Sequence, residues 1–506
     1  MIKILSAEQI RATDQYTIER RLIRSSDLME YAAKAFCKTL GKLIDEDAVL
    51  YIFCGPGNNG GDGLAIAAIA EETYSKVHVY ILASEKYSDD FLKMLKRLKK
   101  WSDSKIRYIE SENDFPDIQK KQKSEGDDPK KFHPVIIDAL YGTGLNKPLE
   151  GPAMKLVAYL NAQDALRVSV DIPSGLFADR FSFGESFHAH HTITFQQPKL
   201  SFLFPQNFES VGEFHIANIG LDEDFISSLS SNFFLLEAED IKQRLKPRNK
   251  SDHKGKFGHA FIHAGNTGKI GAAILCAKAC AHTGAGLTTA HLPRHQSSAM
   301  NIAIPEVMTE EYDASIDFSK YNSFAFGPGI GTSKSSKDVF ISLLGQVQAP
   351  VVLDADALNI LSEEKNWWEL ISKNSILTPH PKEFERLAGK STNWEERHHS
   401  QLGLSLKHSL YIILKGAYTC ITTPEGYSFF NPTGNPGMAK GGSGDVLTGM
   451  IVSLLAQNYS SEDACITGVY LHGLAADMAV TGESEYSLLA TDIISCIGKA
   501  FRKVSS

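Results

Sequence analysis

The fold of the first half of the chain is decided by residues 48–63, which read AVLYIFCGPGNNGGDG. The apolar residues 48–54 predict a buried strand, and a helix should begin near Leu64. Glycines between a strand and a helix let the backbone turn tightly and approach an anion, while the helix N-terminus offers unpaired N–H groups. Five glycines within residues 55–63 exceed the needs of a plain tight turn. We therefore expect a ligand at this loop.

Apolar runs alternate with helix-like stretches after this segment. The runs lie at residues 77–82, 135–140 and 166–170, and the helix-like stretches lie at 63–74 and 152–162. Strands separated by helices are typical of a parallel sheet that is covered on both faces. The first part of the chain is therefore predicted to be a doubly wound α/β domain.

The alternation stops at residues 221–256, which are acidic, then serine-rich, then basic. We place a domain boundary near residue 230 and divide the chain into residues 1–228 and 229–506. The second domain is also predicted to be α/β. Its expected elements are strands at 260–264, 287–291, 323–326 and 351–353, a helix at 270–283 and a hairpin at 411–430.

The hairpin leads into residues 431–445, which read NPTGNPGMAKGGSGD, ahead of a helix predicted at 446–456. Gly441 to Gly444 can form an anion hole at the helix terminus. The helix dipole should keep Asp445 ionised, so that it accepts a proton from a substrate hydroxyl while phosphoryl charge develops nearby. The alternative is that Asp445 is only an N-cap. The sequence has no P-loop of the Walker type.

Two further loops of the first domain follow predicted strands. They read DALYGTG at residues 138–144 and DIPSG at residues 171–175. The carboxyl ends of parallel strands meet at one sheet edge, so these loops should converge on the glycine-rich one. An Asn carbonyl, an Asp carboxylate and a Ser hydroxyl form an all-oxygen shell for a hard cation. Alternatively, these residues are only helix caps or turn residues.

The overall composition excludes a disordered or low-complexity chain. The 506 residues are 43% apolar and 22% charged, which is typical of a folded enzyme. Lysine and arginine number 52 against 60 acidic residues, so we expect neither nucleic acid nor a membrane as a partner. Seven scattered cysteines and a charged N-terminal segment predict a cytoplasmic protein with reduced thiols.

Three polar features are interpreted as structural. The histidines of residues 188–191 and the pair at 398–399 lack an accompanying carboxylate or thiolate pattern, so a metal site is the minor alternative. Residues 119–131 are interpreted as a solvated loop.

Together, residues 58–63, 138–144 and 171–175 resemble the YjeF N-terminal family, the NAD(P)H-hydrate epimerases. The loops at 327–331, 378–381, 415–416 and 431–445 resemble those of the ribokinase-like NAD(P)H-hydrate dehydratases. Their fusion in this order resembles the bifunctional nicotinamide nucleotide repair enzymes. The resemblance implies two three-layer αβα domains, a Rossmann-like one followed by a ribokinase-like one.

The resemblance also implies two reactions on hydrated NADH and NADPH, which carry water on C6 of the nicotinamide ring. The N-terminal domain would interconvert the R and S hydrates, and the C-terminal domain would dehydrate the S form at the expense of ADP or ATP with Mg²⁺. The fused architecture favours ADP. Phosphorylating the C6 hydroxyl would make it a better leaving group, with Asp445 as the base. Asp171 is the candidate for proton transfer in the first reaction.

The site residues are carried over from the matching motifs. In the first domain the hydrate would contact Asn58, Asn59, Gly60, Gly61, Asp62, Gly142, Thr143, Gly144, Leu145, Asn146, Lys147, Pro148 and Asp171, and K⁺ would be held by Asn59, Asp138 and Ser174. In the second domain the hydrate would contact Ala272, Gly329, His380 and Asp445, and the nucleotide would contact Lys415, Gly416, Ala417, Tyr418, Thr419 and Gly444.

The sequence departs from the family pattern at two positions. Lys382 stands where a glycine usually follows the Thr-Pro-His-Pro motif, and Ser443 replaces a common threonine but keeps the hydroxyl. The alternatives are a vitamin or sugar kinase for the second domain and a non-catalytic binding module for the first. We also expect a homo-oligomer.

Overall fold

The structure is a computed structural model that describes residues 1–74, 76–101, 106–118, 134–312, 316–482 and 484–506, without the side chain of Trp101. The polar segment 119–131 lies outside the described residues. The chain divides into two compact units. One contains residues 3–231, and the other contains residues 232–506 together with Met1 and Ile2.

The first unit is built on a seven-stranded sheet within the described residues, and all its strand pairs are parallel. The strand order is Ile106–Ile109, Lys76–Leu82, Val49–Cys54, Pro134–Ala139, Leu166–Val170, His191–Phe195 and Glu213–Ala217. The helices are Ala7–Arg21, Ser25–Leu40, Asn58–Ala70, Asp89–Trp101, Gly151–Asn161, Phe208–Val211 and Glu223–Ser228, with 3₁₀ turns at Glu112–Asp114, Leu200–Leu203 and Pro205–Asn207. The order reverses between Val49–Cys54 and Pro134–Ala139, where a doubly wound sheet opens its ligand crevice.

Both faces of this sheet are buried. Leu50 and Ile52 pack into one apolar cluster, whereas Tyr51 and Phe53 belong to another. Successive side chains of a strand point to opposite faces, so the two clusters lie on opposite sides of the sheet. Burying each large side chain contributes about 1.5–3 kcal/mol. Helices on both faces therefore hold the strands in a three-layer arrangement.

The second unit contains an eleven-stranded sheet within the described residues. An edge strand that begins at Ile2 is followed by Phe233–Leu235, Ser428–Phe430, Cys420–Thr422, Tyr411–Leu414, Ile376–Leu377, Val351–Leu353, Ser323–Phe326, His259–His263, Leu287–Leu292 and Met308–Glu311. Cys420–Thr422 is antiparallel to both neighbours, and the other pairs from Phe233–Leu235 onward are parallel.

The helices of the second unit cover both faces of its sheet. They are Ala238–Arg244, Ile270–Thr283, Ser297–Ala303, Lys334–Leu344, Asp356–Leu361, Pro381–Ala388, Trp394–His408, Ser443–Ala456, Ser461–Ala479 and Ala490–Ser505, with 3₁₀ turns at Lys254–Phe257, Phe318–Lys320, Trp367–Leu370 and Pro436–Met438. Ala260 and Ile262 pack into one cluster and Phe261 into another. The predicted α/β fold class, with two three-layer domains, is confirmed.

The predicted helix starts at both glycine-rich loops were wrong. The helices begin at Asn58 rather than near Leu64, and at Ser443 rather than at 446. Gly60, Gly61 and Gly63 of the first loop are therefore helical, and they allow close packing. A Cβ on Gly60 would lie 1.8 Å from the Gly55 carbonyl oxygen, and a Cβ on Gly63 would lie 2.6 Å from the Cβ of Ala139. Among the described residues, no helix combines the length and apolar character needed to cross a membrane.

Candidate functional site

A cavity of about 890 Å³ lies beside the carboxyl ends of the strands of the first unit. We call it the N-terminal crevice. Its walls include most of the predicted hydrate-binding residues: Asn58, Asn59, Asp62, Gly142, Thr143, Gly144, Leu145, Asn146, Lys147, Pro148 and Asp171. Gly60, Gly61, Asp138 and Ser174 are not among its lining residues. The three glycine- and Asp-containing loops therefore converge on one cavity, as predicted. The Asp138 carboxylate and the Ser174 hydroxyl, which were predicted to hold the cation, do not line that cavity.

Asp138 fastens two of these loops together. Its Oδ1 accepts hydrogen bonds from the Ser174 hydroxyl (2.6 Å) and the Leu140 N–H (3.1 Å). Its Oδ2 accepts from the Ser174 N–H (2.8 Å) and the Ser169 hydroxyl (3.0 Å). Burial raises the pKa of Asp138 above its ordinary value, although the bonds from Ser174 oppose the shift. Asp138 thus has a structural role whether or not a cation binds.

Asn59 supplies an unused polar group at the same edge. The side chain is 8% exposed, and its Nδ2 is buried without a hydrogen-bond partner. A Cβ on Gly142 would lie 3.3 Å from the Asn59 Oδ1, so only a glycine leaves the amide this much room. The unpartnered Nδ2 is a hydrogen-bond donor and cannot bind a cation, so in a K⁺ site the ligand from Asn59 would be its Oδ1.

Asp171 forms an ion pair with a lysine that the sequence analysis missed. Its Oδ1 accepts from the Lys199 ammonium, from the Phe195 N–H (3.0 Å) and from the Thr194 hydroxyl (3.2 Å). Lys199 is fully buried and also donates to the Thr194 hydroxyl at 2.7 Å. Asp171 has a φ of +63°, a conformation unusual for a residue with a side chain. The surrounding contacts therefore fix the carboxylate at the crevice, although the backbone of Asp171 is in a strained conformation.

Two more carboxyl groups face the N-terminal crevice. Burial, and then the charge of Asp171, raise the pKa of Asp14 to about 7, although Lys199 lowers it. Burial, together with Asp171 and Asp14, holds the pKa of Asp62 far above its ordinary value. Asp14 was also missed. It lies four residues from both Ile10 and Ile18, but its helix is mostly polar and its buried residues are threonines, so the sequence carries no pattern that marks Asp14.

The second unit has a cavity of about 760 Å³, which we call the C-terminal crevice. Of the predicted ligand-binding residues, its walls include His380, Lys415, Gly416, Ala417, Thr419 and Gly444. Ala272, Gly329, Tyr418 and Asp445 are not among its lining residues. Ala272 and Gly329 are nevertheless neighbours, because a Cβ on Gly329 would lie 2.9 Å from the Cβ of Ala272.

Lys415 is held in place by Asp354, which follows the strand Val351–Leu353, two strands away in the sheet. The Lys415 ammonium lies 2.9 Å from Asp354 Oδ1, and the Thr448 hydroxyl donates to Oδ2 at 2.9 Å. Burial alone would lower the pKa of Lys415, but Asp354 and Glu383 outweigh it and raise this pKa. A Cβ on Gly444 would lie 3.2 Å from the Lys415 ammonium nitrogen. Gly444 thus leaves the Lys415 ammonium accessible to a ligand on that side.

Asp445 lies in the first turn of the helix Ser443–Ala456. Burial, and then the negative charge of Asp354, raise its pKa to about 7, although Lys415 lowers it. The expectation that the helix dipole keeps this group ionised left out burial and the charge of Asp354, both of which favour the protonated form. A carboxyl group with a pKa near 7 can both accept and return a proton at neutral pH.

His380 caps the helix Pro381–Ala388. Its Nδ1 accepts from the N–H groups of Lys382 (3.1 Å) and Glu383 (3.3 Å), so Nε2 carries the ring hydrogen of the neutral side chain. The imidazole is 46% exposed, and burial together with Lys415 lowers its pKa. Lys382 is within the helix and does not have a positive φ. A glycine is therefore not required at this position.

The fold and these crevices define a two-unit α/β protein with one ligand crevice in each unit. The family described as YjeF-related protein N-terminus matches residues 25–201, and the family described as NAD(P)H-hydrate dehydratase matches residues 260–499. The resemblance seen in the motifs is therefore confirmed for both units.

Relatives match the two units in one chain. The bifunctional NAD(P)H-hydrate repair enzyme Nnr of Thermofilum pendens is 31% identical, covering 99% of this chain and 96% of its own. The Coxiella burnetii enzyme of the same name is 34% identical, covering 97% and 98%. An ADP/ATP-dependent NAD(P)H-hydrate dehydratase from Bacillus subtilis, co-crystallized with ATP/Mg²⁺, is 29% identical with a TM-score of 0.49, covering 54% of this chain and 100% of its own. This chain belongs to the family of bifunctional NAD(P)H-hydrate repair enzymes.

Proposed function

We propose that this protein repairs hydrated nicotinamide cofactors. The first unit interconverts the R and S hydrates of NADH and NADPH, and the second converts the S hydrate to NADH or NADPH with consumption of ADP or ATP. The proposal rests on the full-length match to bifunctional repair enzymes. Carboxyl groups with raised pKa values in each unit supply the acid–base chemistry that both reactions need. The first reaction is assigned to the unit of residues 3–231 and the second to the unit of residues 232–506, with the boundary three residues beyond the predicted 228/229.

In the N-terminal crevice, the hydrate is proposed to lie among the lining residues named above, beside the Gly60–Gly61 backbone. Asn59, Asp138 and Ser174 are proposed to hold K⁺, which when bound supplies positive charge next to the substrate. The hydrogen bonds that join Asp138 to the N–H and hydroxyl of Ser174 bring two of the three oxygen ligands together and support this set. Because Asp138 also carries four hydrogen bonds, Asp138→Asn is a better test than Asp138→Ala. In Asp138→Asn, epimerisation should lose most of its dependence on potassium. An unchanged dependence would contradict the assignment of Asp138 as a K⁺ ligand.

Epimerisation requires reversible opening of the C6 carbon–oxygen bond or of the ring carbon–nitrogen bond, with no net redox change. The departing atom needs a proton, which must return when the bond reforms on the other face. We assign this transfer to Asp171 with the help of Asp14, whose pKa near 7 suits it to give and retake a proton at neutral pH. Lys199 positions the Asp171 carboxylate through the buried ion pair.

In the C-terminal unit, Ala272, Gly329, His380 and Asp445 are proposed to contact the S hydrate. The nucleotide, with its Mg²⁺, is proposed to lie along Lys415, Gly416, Ala417, Tyr418, Thr419 and Gly444. Asp445 takes the proton of the C6 hydroxyl. The hydroxyl oxygen then bonds to the terminal phosphorus of the nucleotide, and the bond between that phosphorus and the rest of the nucleotide breaks. Phosphate then leaves with the C6 oxygen, and loss of a proton from the adjacent carbon restores the double bond. Lys415 neutralises charge on the phosphoryl group.

One assay tests the proposal as a whole. The purified chain is incubated with a mixture of R and S hydrates, with ADP, ATP or no nucleotide, and the absorbance of the reduced nicotinamide is followed. We expect complete conversion with one of the nucleotides, ADP being favoured, and equilibration of the hydrates without either. A stable phosphorylated product without recovery of NADH would instead indicate a small-molecule kinase. We further propose that the protein acts in the cytoplasm, without nucleic acid or membrane partners. We also propose that it forms a homo-oligomer, and analytical sedimentation of the purified chain tests this oligomeric state.

A further inference from the structure

Two histidines and a glutamate come together at the edge of the first unit's sheet, away from its crevice. His191 opens the strand His191–Phe195, and Glu213 opens the neighbouring edge strand Glu213–Ala217. The parallel register pairs His191 with Glu213. His215 lies two residues further along the edge strand, so its side chain is on the same face as that of Glu213. The sheet itself therefore places the three side chains side by side.

Two of the distances between their polar atoms are close to those of a metal shell. His191 Nδ1 lies 3.1 Å from His215 Nε2 and 3.7 Å from a Glu213 carboxylate oxygen, and the three ligand atoms all lie within 4.8 Å of one another. In tetrahedral zinc sites the bonds are about 2.0–2.1 Å long, which separates neighbouring ligand atoms by roughly 3.3–3.4 Å. The two measured separations lie on either side of that value.

A shared proton would account for the two imidazoles but not for the carboxylate. A hydrogen bond between Nδ1 and Nε2 satisfies both histidines without any third group. Glu213 adds the negative charge and the third donor that a divalent cation requires. The side chains of His191 and Glu213 are 22% and 71% exposed, so an ion can enter and a water can complete its coordination.

We propose that His191, Glu213 and His215 form a binding site for one divalent transition-metal ion, of the zinc or cobalt class. The ion joins the last two strands of the sheet at their amino ends. The N-terminal crevice lies at the carboxyl ends, so the site is separate from the proposed catalytic groups. Its expected role is to fasten the edge strand, with little effect on turnover.

The test uses the full chain after removal of metals with EDTA. Binding of Zn²⁺ is measured by equilibrium dialysis, and Co²⁺ is added separately to record its visible spectrum. We expect one equivalent to bind with a tetrahedral cobalt spectrum and to raise the Tm of the first unit. Loss of an outer-shell partner alone weakens metal sites by about 10- to 100-fold, so His191→Gln and His215→Gln should weaken binding by at least about 100-fold.

Glutamine keeps a hydrogen-bonding group at each position, and His188→Gln is the matched control from the same histidine run. It should bind like the unaltered chain, since His188 is not part of the three-residue group. Glu213→Gln should weaken binding while leaving the strands paired. Equal zinc stoichiometry and affinity in the unaltered chain and in the His191→Gln/His215→Gln double variant would overturn the proposal, as would the absence of binding to the unaltered chain.

Discussion

Asp445 is the residue on which the proposed dehydration depends most directly. Its replacement by Asn removes the proton acceptor but keeps the size of the side chain, so the dehydration rate should fall about 100-fold or more while epimerisation continues. Asp492→Asn is a matched control, because Asp492 occupies the same third position of another helix, Ala490–Ser505. The two rates are followed separately on R and S hydrates. A dehydration rate above about a tenth of the original would contradict the assignment of Asp445 as the base.

The raised pKa of Asp445 also sets the pH dependence of dehydration. A base must be unprotonated to act, and the pKa is about 7. The rate with saturating substrates should therefore rise as the pH increases through about 7 and level off above it. Asp354 contributes to this shift through its charge, and it also holds Lys415. In Asp354→Asn the rising limb should move to lower pH, whereas a purely structural role would lower the rate without moving the limb.

Asp14 gives a corresponding prediction for stability. Its folded-state pKa of about 7 exceeds the ordinary value of 3.8, so the folded state binds this proton more tightly than the unfolded state. The stabilisation is complete below pH 3.8 and is lost as the pH rises through 7. Asn cannot ionise, so the Tm of Asp14→Asn relative to the unaltered chain should be higher at pH 8.5 than at pH 5.5. Glu19→Gln, on the same helix, is measured alongside as the control variant. Equal Tm differences at the two pH values for Asp14→Asn would contradict the raised pKa of Asp14.

At the scale of single elements, the helix Asn58–Ala70 depends on small residues against the sheet. In Gly63→Ala the new Cβ would lie 2.6 Å from the Ala139 Cβ and 2.8 Å from the Cys54 Sγ. Overpacking costs about 1–3 kcal/mol, which offsets or exceeds the gain of about 1 kcal/mol in helix propensity. We expect a lower Tm for the first unit. Gly403→Ala has no neighbour within 4 Å in its helix, and it should instead stabilise the second unit; equal effects would contradict the packing argument.

Elements with a strong local pattern were predicted from the sequence. The strands Leu166–Val170, Ser323–Phe326 and Val351–Leu353 have the predicted bounds, because short apolar runs between polar segments leave few alternatives. The helix starts at Asn58 and Ser443 were missed because glycine has a poor helix propensity, and only the contact with the sheet compensates for it. Local patterns do not contain that contact.

The site was predicted as far as the recognised strand ends allowed. The strand His191–Phe195 was not predicted, so the loop that follows it, with Lys199, was left out of the crevice. Asp14 comes from the first helix, far along the chain from the strand ends, and neither local spacing nor a loop motif connects it to Asp171. The ion pair, the raised pKa values and the Asp138 hydrogen bonds follow from tertiary contacts between distant segments.

At the scale of the whole molecule, the two units should work independently. Each has its own sheet and its own apolar clusters on both faces of that sheet. The boundary predicted at 228/229 would remove residues that the first unit uses. The Leu229 carbonyl accepts from Lys3 at 2.6 Å, the Ser230 carbonyl accepts from Gln9 at 2.7 Å, and the Ser231 hydroxyl donates to the Ile4 carbonyl at 2.7 Å.

We therefore predict that fragments 1–231 and 232–506 each fold, and that the first is more stable than fragment 1–228, because the shorter piece lacks those three bonds. Fragment 1–231 should equilibrate the hydrates without nucleotide. Fragment 232–506 loses a two-residue edge strand and the ion pair between the Met1 ammonium and Asp240, neither of which lines the C-terminal crevice. With nucleotide it should therefore consume the S form and then slow to the rate of spontaneous epimerisation. Mixing the fragments should restore complete conversion. If fragment 232–506 alone consumed both hydrates equally fast, the first unit would have no epimerase role, and a binding module would explain it better.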